Sequence, residues 1–193
     1  MRDASRVFVA AGLAALTGCT STKQESTIVP VPREDVVRVQ TGDATADVRL
    51  QREDFISKAE LPAARAAVWE AIPEVYAEVG LPQPLMDRGK WTAAVQNHVV
   101  MRLLNKQQVS RFLSCGSGMS GEHADTRRIR LTVRTMLETP SPERTAALTR
   151  VEATAYALDG TSTAPAECSS RGLLEQMIRE GLRRRLERGG ADR

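Results

Sequence analysis

Aromatic side chains are scarce in this 193-residue chain: two tryptophans, two tyrosines and three phenylalanines, 4 % in all. A surface that stacks sugars or bases needs several such rings together, so that class of recognition is poorly supplied. Histidine is scarcer still, with only His98 and His123. Neither stands at ligand spacing from a cysteine, so no zinc site can be assembled on paper. No apolar run reaches the about 20 residues that a helix needs to cross ~30 Å of hydrocarbon. Charge of one sign is not concentrated either. The formal net charge is +3, and arginines are interleaved with acids along most of the chain, without the basic block that marks nucleic-acid binding. The 41 % hydrophobic and 26 % charged content belongs to a globular protein, not a disordered one.

Catalytic constellations are missing as well. Ser117, Ser120, His123 and Asp125 are the residue types of a hydrolase. Crowded on one glycine-rich loop, they do not offer the strained nucleophile turn and separately held base of a triad, and GxSxG is absent. Glu122 and Asp125 read as loop solvation. Gly116-Ser117-Gly118-Met119-Ser120-Gly121 spells GxGxxG. The dinucleotide fingerprint needs a strand before it and a helix opening at its last glycine. An arginine-rich, strand-like segment follows here, so the stretch reads as a flexible loop. Its glycines leave the backbone accessible, which makes it the candidate recognition loop. The expectation is a non-catalytic chain without cofactor or metal.

What is present begins at residue 1. Arg2 and Arg6 give a short basic start, partly offset by Asp3, and an apolar run of about a dozen residues follows from Val7 through Leu16. That is the build of a secretory signal peptide. It ends in Leu16-Thr17-Gly18-Cys19, which resembles the lipobox of bacterial lipoprotein precursors. The resemblance covers the leader alone. It implies cleavage after Gly18, diacylglycerol on the Cys19 sulfur and a fatty acyl chain such as palmitate on the new amino terminus. Two or three chains hold a protein stably where one does not. Thr20, rather than aspartate, follows the cysteine; in an organism with two membranes the lipoprotein pattern then implies the outer membrane, on its periplasmic side.

Cysteine parity fits an exported protein. With Cys19 lipidated, Cys115 and Cys168 remain as an even pair in a compartment that permits disulfides. A bridge between them would close a loop of more than fifty residues, worth ~4 kcal/mol if unstrained. Free buried thiols are the alternative.

Residues 19–34 read as the lipidated cysteine and a polar tether ending in Pro30 and Pro32, with a single domain over 35–193. Val36–Gln40 and Val48–Ile56 suggest strands around a Thr41-Gly42-Asp43 turn. A helix is expected from Leu61-Pro62, with Ala64, Val68, Ala71 or Ile72, Val75 and Val79 recurring at helical spacing, a kink near Trp69 to Ile72 caused by Pro73 and a stop at Gly80 and Pro82. Lys90–Val95 and His98–Leu104 read as two strands, and Lys106–Leu113 as a short helix in preference to a strand. Over Arg127–Leu137, Ile129, Leu131, Val133 and Leu137 alternate with Arg128, Arg130 and Arg134. Thr145–Leu158 repeats the pattern, with Val151, Ala153, Ala155 and Ala157 inward and Glu152 placed to pair with an arginine across the strands. Ser169 or Ser170 caps a last helix, whose Leu174, Met177 or Ile178, Leu182 and Leu186 make the buried stripe. Arg183, Arg184, Arg185 and Arg188 lie at its C-terminal end, where they favour the helix dipole and solubility, with contact to anionic lipid headgroups or an acidic partner as the alternative.

The fold class is therefore α+β, an antiparallel sheet with two long helices on one face. This element order resembles the helix-grip domains of steroidogenic-regulatory-type lipid-transfer proteins and of the outer-membrane-assembly lipoprotein C family. Function at this stage is a lipid-anchored envelope protein whose domain contacts another envelope protein. A carrier of a small apolar ligand or lipid, in a cleft between sheet and helices, is the alternative, and a hydrolase of unfamiliar type comes last.

Overall fold

The computed structural model describes residues 28–41, 44–158 and 165–191, with side chains over 56–158 and 165–189. Cys19 and the lipobox lie outside the described residues, as does the expected turn at Gly42-Asp43. In chain order the elements are β1 (Ile28–Thr41), β2 (Ala44–Leu61), α1 (Arg65–Glu78), β3 (Leu85–Asp87), β4 (Thr92–Met101), β5 (Leu103–Leu104), β6 (Gln107–Gln108), a 3-10 turn (Val109–Arg111), β7 (Leu113–Ser114), β8 (Ser117–Gly118), β9 (Gly121–Glu122), α2 (His123–Thr126), β10 (Arg128–Ser141), β11 (Arg144–Tyr156), β12 (Ala166–Ser170) and α3 (Leu173–Ala191). Among the described residues, β1-β2-β11-β10-β4-β5-β6 run side by side in one antiparallel sheet. β12 joins β11 to β7 at one margin, β3 lies along β4, and β8-β9 form a separate small hairpin.

The period-2 pattern of β10 sets the layers. Ile129, Leu131, Val133, Thr135 and Leu137 are buried, while Arg128, Arg130, Arg134 and Met136 are exposed. On β11, Val151, Ala153 and Ala155 fall on the buried side as the sequence indicates. α1 and α3 pack together over that side, inserting Val68, Ile72, Val75 and Tyr76 from one helix and Leu174, Ile178 and Leu182 from the other. The result is an antiparallel sheet with two long helices on one face. Leu104, Val109, Phe112 and Leu113 extend the same core beyond the helices.

Three buried hydroxyls in this layer satisfy one another. The Tyr76 hydroxyl donates to Thr135 Oγ1 at 3.0 Å, and Thr135 in turn meets Thr149 Oγ1 at 3.0 Å. Burial pushes the Tyr76 phenol up to about 12, with the Thr135 hydrogen bond offsetting some of the rise.

Several boundaries differ from the sequence reading for identifiable reasons. β1 takes in Ile28–Glu34, residues assigned to the tether, because the β1–β2 ladder is continuous from Ile28↔Ser57 to Thr41↔Ala44. α1 starts at Arg65 instead of Leu61, since Leu61 is held in the sheet opposite Thr145. It runs on through Pro73 and closes in a Schellman motif, with Leu81 N–H to Tyr76 O at 2.9 Å, Gly80 N–H to Ala77 O at 3.0 Å and Gly80 at φ 82°.

The two strands read around His98 are one strand, β4, carrying a bulge: Val95 pairs with Val133 but His98 with Leu131, leaving Gln96 and Asn97 opposite Thr132. Asn97 takes φ 51° there and donates its N–H to Thr132 Oγ1 at 3.2 Å. Glu152 meets Arg150 on its own strand at 2.9 Å rather than an arginine across the ladder.

Candidate functional site

α1 and α3 cross at a residue without a side chain. A Cβ placed on Gly181 would lie 2.7 Å from Val75 Cγ1, so only glycine lets the helices come this close. Away from that pinch, α1 presents alanines towards α3. Between the first half of α1 and the last turns of α3 the helices therefore leave an open groove of about 990 Å³. Its apolar floor is Pro62, Ala63, Ala64, Ala67, Ala71 and Leu186, and Glu60, Glu70, Glu74 and Glu187 stand on its rim beside Arg183 and Arg185.

The arginine cluster of α3 fixes the width of this groove. Arg185 spans to α1, pairing with Glu74 and reaching Glu78 Oε1 from Nε at 3.0 Å and from Nη2 at 2.7 Å. Arg184 approaches Glu78 Oε2 at 3.5 Å. A guanidinium fork shared by two carboxylates holds geometry better than a single exposed ion pair. The Arg184–Arg185 pair is thus an interhelical clamp, a role beyond the dipole and solubility effects read from sequence. Its partners lie more than a hundred residues earlier in the chain, so no local pattern could reveal them.

The candidate recognition loop is a small hairpin. Gly118 pairs with Gly121, leaving Met119 and Ser120 at the tip, and Met119 is fully exposed. Gly116 and Gly121 adopt φ 78° and 104°, and a Cβ on Gly118 would come within 2.9 Å of His123 Nε2. All three glycines of the run are therefore structural requirements of a tight turn under a histidine. A four-residue helix does open after Gly121, but the strands around it are short and antiparallel, unlike the parallel βαβ unit of a dinucleotide site.

The neighbouring polar residues are engaged separately. Asp125 Oδ1 accepts the Ser110 N–H at 2.9 Å. Arg127 can only donate, so its contact with His123 Nε2 at 3.4 Å makes that nitrogen the acceptor and leaves Nδ1–H to face Cys115 O at 3.3 Å. Ser117 and Ser120 lie exposed on the hairpin beyond them. The histidine and aspartate of the loop thus take different partners, with the serines exposed apart from them.

Beside this hairpin, Cys115 and Cys168 form a disulfide across 53 residues, with their Cα atoms 4.1 Å apart. It ties the chain entering the loop to β12, next to the β12–β7 pairing of Ser169 with Ser114.

A second concavity of about 450 Å³ opens at the start of α3, lined by Ser57, Ser170, Arg171, Gln176 and Arg179 around Glu175. Glu175 is 1 % exposed, and neither carboxylate oxygen has a partner in good hydrogen-bonding geometry. Burial raises its pKa, and the nearby Ser170 hydroxyl and its own backbone amide offset only some of that. Sequence reasoning missed this residue because an acid in the first turn of a helix is normally solvated and favourable. Both tryptophans lie on the far side of α1, where Trp91 meets Trp69 edge-on at 5.4 Å and Arg65 stacks over it at 4.0 Å.

No protein-family model, curated protein or solved structure matches this chain. The resemblance to helix-grip domains accordingly rests on element order alone.

Proposed function

We propose that this chain is a lipid-anchored envelope protein whose domain binds another envelope protein, by accepting an amphipathic helical segment of that partner in the groove between α1 and α3. The observation that carries the reading is the groove itself: an alanine floor, held open by the Arg185 clamp and rimmed by Glu60, Glu70, Glu74 and Glu187. A helix laid between two others needs small residues beneath it, and since Glu74 meets Arg185 and Glu60 meets Arg144, Glu70 and Glu187 are the rim acids that favour a segment with basic flanks. The layer between sheet and helices is filled by Tyr76, Ile72, Leu131, Ile178 and Leu182, all buried, which argues against an apolar carrier. The reading is non-catalytic, with the membrane reached through lipid on Cys19.

A photoreactive residue in place of Ala67, in cells, tests it. The expected product is an adduct with one discrete protein, lost when Glu70→Lys and Glu187→Lys reverse the rim charge. Adducts formed instead from Met119 would move the contact to the recognition loop, and adducts from neither position would overturn the proposal. The anchor is tested separately: mass spectrometry of the protein extracted from its membranes should show a chain that starts at Cys19 and carries acyl mass, and an unmodified Cys19 would refute lipidation.

A further inference from the structure

The face of the sheet opposite the helices carries a second feature that the groove does not explain. Val99, Met101 and Leu103 are 51 %, 49 % and 55 % exposed. Isolated exposed apolar residues need no account, but these three are contiguous. Met101 lies opposite Leu103 across the tight β4–β5 turn, and Arg128 and Arg130 of β10 lie opposite Met101 and Val99. Directly opposed residues of an antiparallel pair share a face, so three apolar and two cationic side chains form one surface. Arg102 sits at its outer end with φ 61°, exposed at the turn, and Lys106 is exposed on the next turn. Arg130 is held by stacking over the Tyr156 ring at 4.6 Å. Among the residues with described side chains, the acids on this face include Glu138 of β10, Glu152, already meeting Arg150, and Glu167 of β12.

We propose that this surface docks on the anionic phospholipid headgroups of the membrane that bears the anchor, with Met101 and Leu103 entering the headgroup layer and Arg102, Arg128 and Arg130 on phosphates. Apolar side chains at a turn, ringed by guanidinium groups, have the chemistry of an interfacial lipid contact. Reach supports it. Nine residue steps from Cys19 to Ile28 extend at most about 30 Å. Ile28 enters the sheet opposite Ser57, at the body of the domain. From β1 to β4 is four strand spacings, roughly 20 Å. The proposal rests on the anchor in the preceding section and adds an orientation: sheet face towards lipid, helix groove towards the aqueous side.

The test uses the full chain, purified from its native membranes and reconstituted in vesicles of phosphatidylcholine alone or with phosphatidylglycerol. A photoreactive residue replaces Leu103, with Glu180 on α3 as the control position. Docking predicts a phospholipid adduct at Leu103, absent at Glu180, present with phosphatidylglycerol and lowered about tenfold by Arg128→Gln with Arg130→Gln. Flotation with both vesicle types but equal adducts at Leu103 and Glu180 keeps the anchor and overturns docking. Flotation only with phosphatidylglycerol supports docking and refutes the anchor, and flotation with neither refutes both. A protein adduct at Leu103 in native membranes, in place of lipid, would make the face a protein interface and overturn the proposal.

Discussion

The two faces of β10 alternate residue by residue yet obey different physics. Towards the helices, Ile129, Leu131 and Val133 are 0–1 % exposed and the one hydroxyl admitted, Thr135, is paired twice. Towards the open side, Arg128, Arg130 and Arg134 project beside Val99, Met101 and Met136. The covered face is specified by volume and by polar satisfaction, so almost any change there is felt. The open face is constrained only by solubility and by whatever it touches. Stability should therefore reside in one face and recognition in the other, with the helix groove as a second recognition surface on the far side of the core.

The largest effect expected is at the margin of the covered side, where the Cys115–Cys168 bridge secures β12 to β7. Removing it with Cys115→Ser and Cys168→Ser should lower stability by ~4 kcal/mol in urea unfolding, and a loss near zero would mean that this margin contributes little to the core. Leu131→Ala should cost about 3 kcal/mol by cavity formation, with an unchanged m-value. Tyr76→Phe should cost about 1 kcal/mol through the lost hydrogen bond to Thr135. It should also alter the alkaline limb. A phenol raised to about 12 in the folded state contributes stability that is complete below 10 and lost as pH rises towards 12, and the phenylalanine variant should lack that decline.

Glu175→Gln tests the same linkage for a carboxyl. Its raised pKa means the folded state holds the proton more tightly, so stability falls as pH rises from the ordinary glutamate range to the raised value. The glutamine variant should lose this slope and gain on the native protein at neutral pH; parallel pH profiles would show that the carboxyl finds a partner in solution. The smallest effect is expected on the open face, where Arg130→Ala should change stability by no more than about 0.5 kcal/mol. A loss as large as that of Leu131→Ala would erase the distinction between the faces.

The features legible in the sequence were those with a local period or a parity rule. The alternation in β10, the stripe of Leu174, Ile178 and Leu182, and the even pair Cys115 and Cys168 all led to structure that is present. What escaped depends on residues far apart in the chain. The groove exists because Ala67 and Ala71 face the end of α3, and alanines in a helix carry no sign of whether a neighbour will fill the space. Arg185 looked like a helix-end charge until Glu74 and Glu78 stood opposite it. Gln96 and Asn97 broke the alternation of β4 and invited two strands, because a bulge mimics a turn in polarity. The Val99–Leu103 surface was hidden because the stretch is apolar on both faces, so alternation does not say whether Val99, Met101 and Leu103 or Val100 and Leu104 lie in the core. Nothing in the side chain of Arg102 announces the left-handed turn that folds Leu103 back opposite Met101.

The position of the disulfide also divides the molecule mechanically. The covalent loop from Cys115 to Cys168 contains β10 and β11 entire, while β1 is bonded in the ladder to β2 alone among the described residues. A pull applied at Ile28 meets backbone pairs that can open in succession, like a zip. The strands at the centre of the sheet cannot be drawn out to full length while their crosslink stands. Force arriving along the N-terminal side is thus dissipated in the β1–β2 ribbon first, and the two central strands are shielded from it.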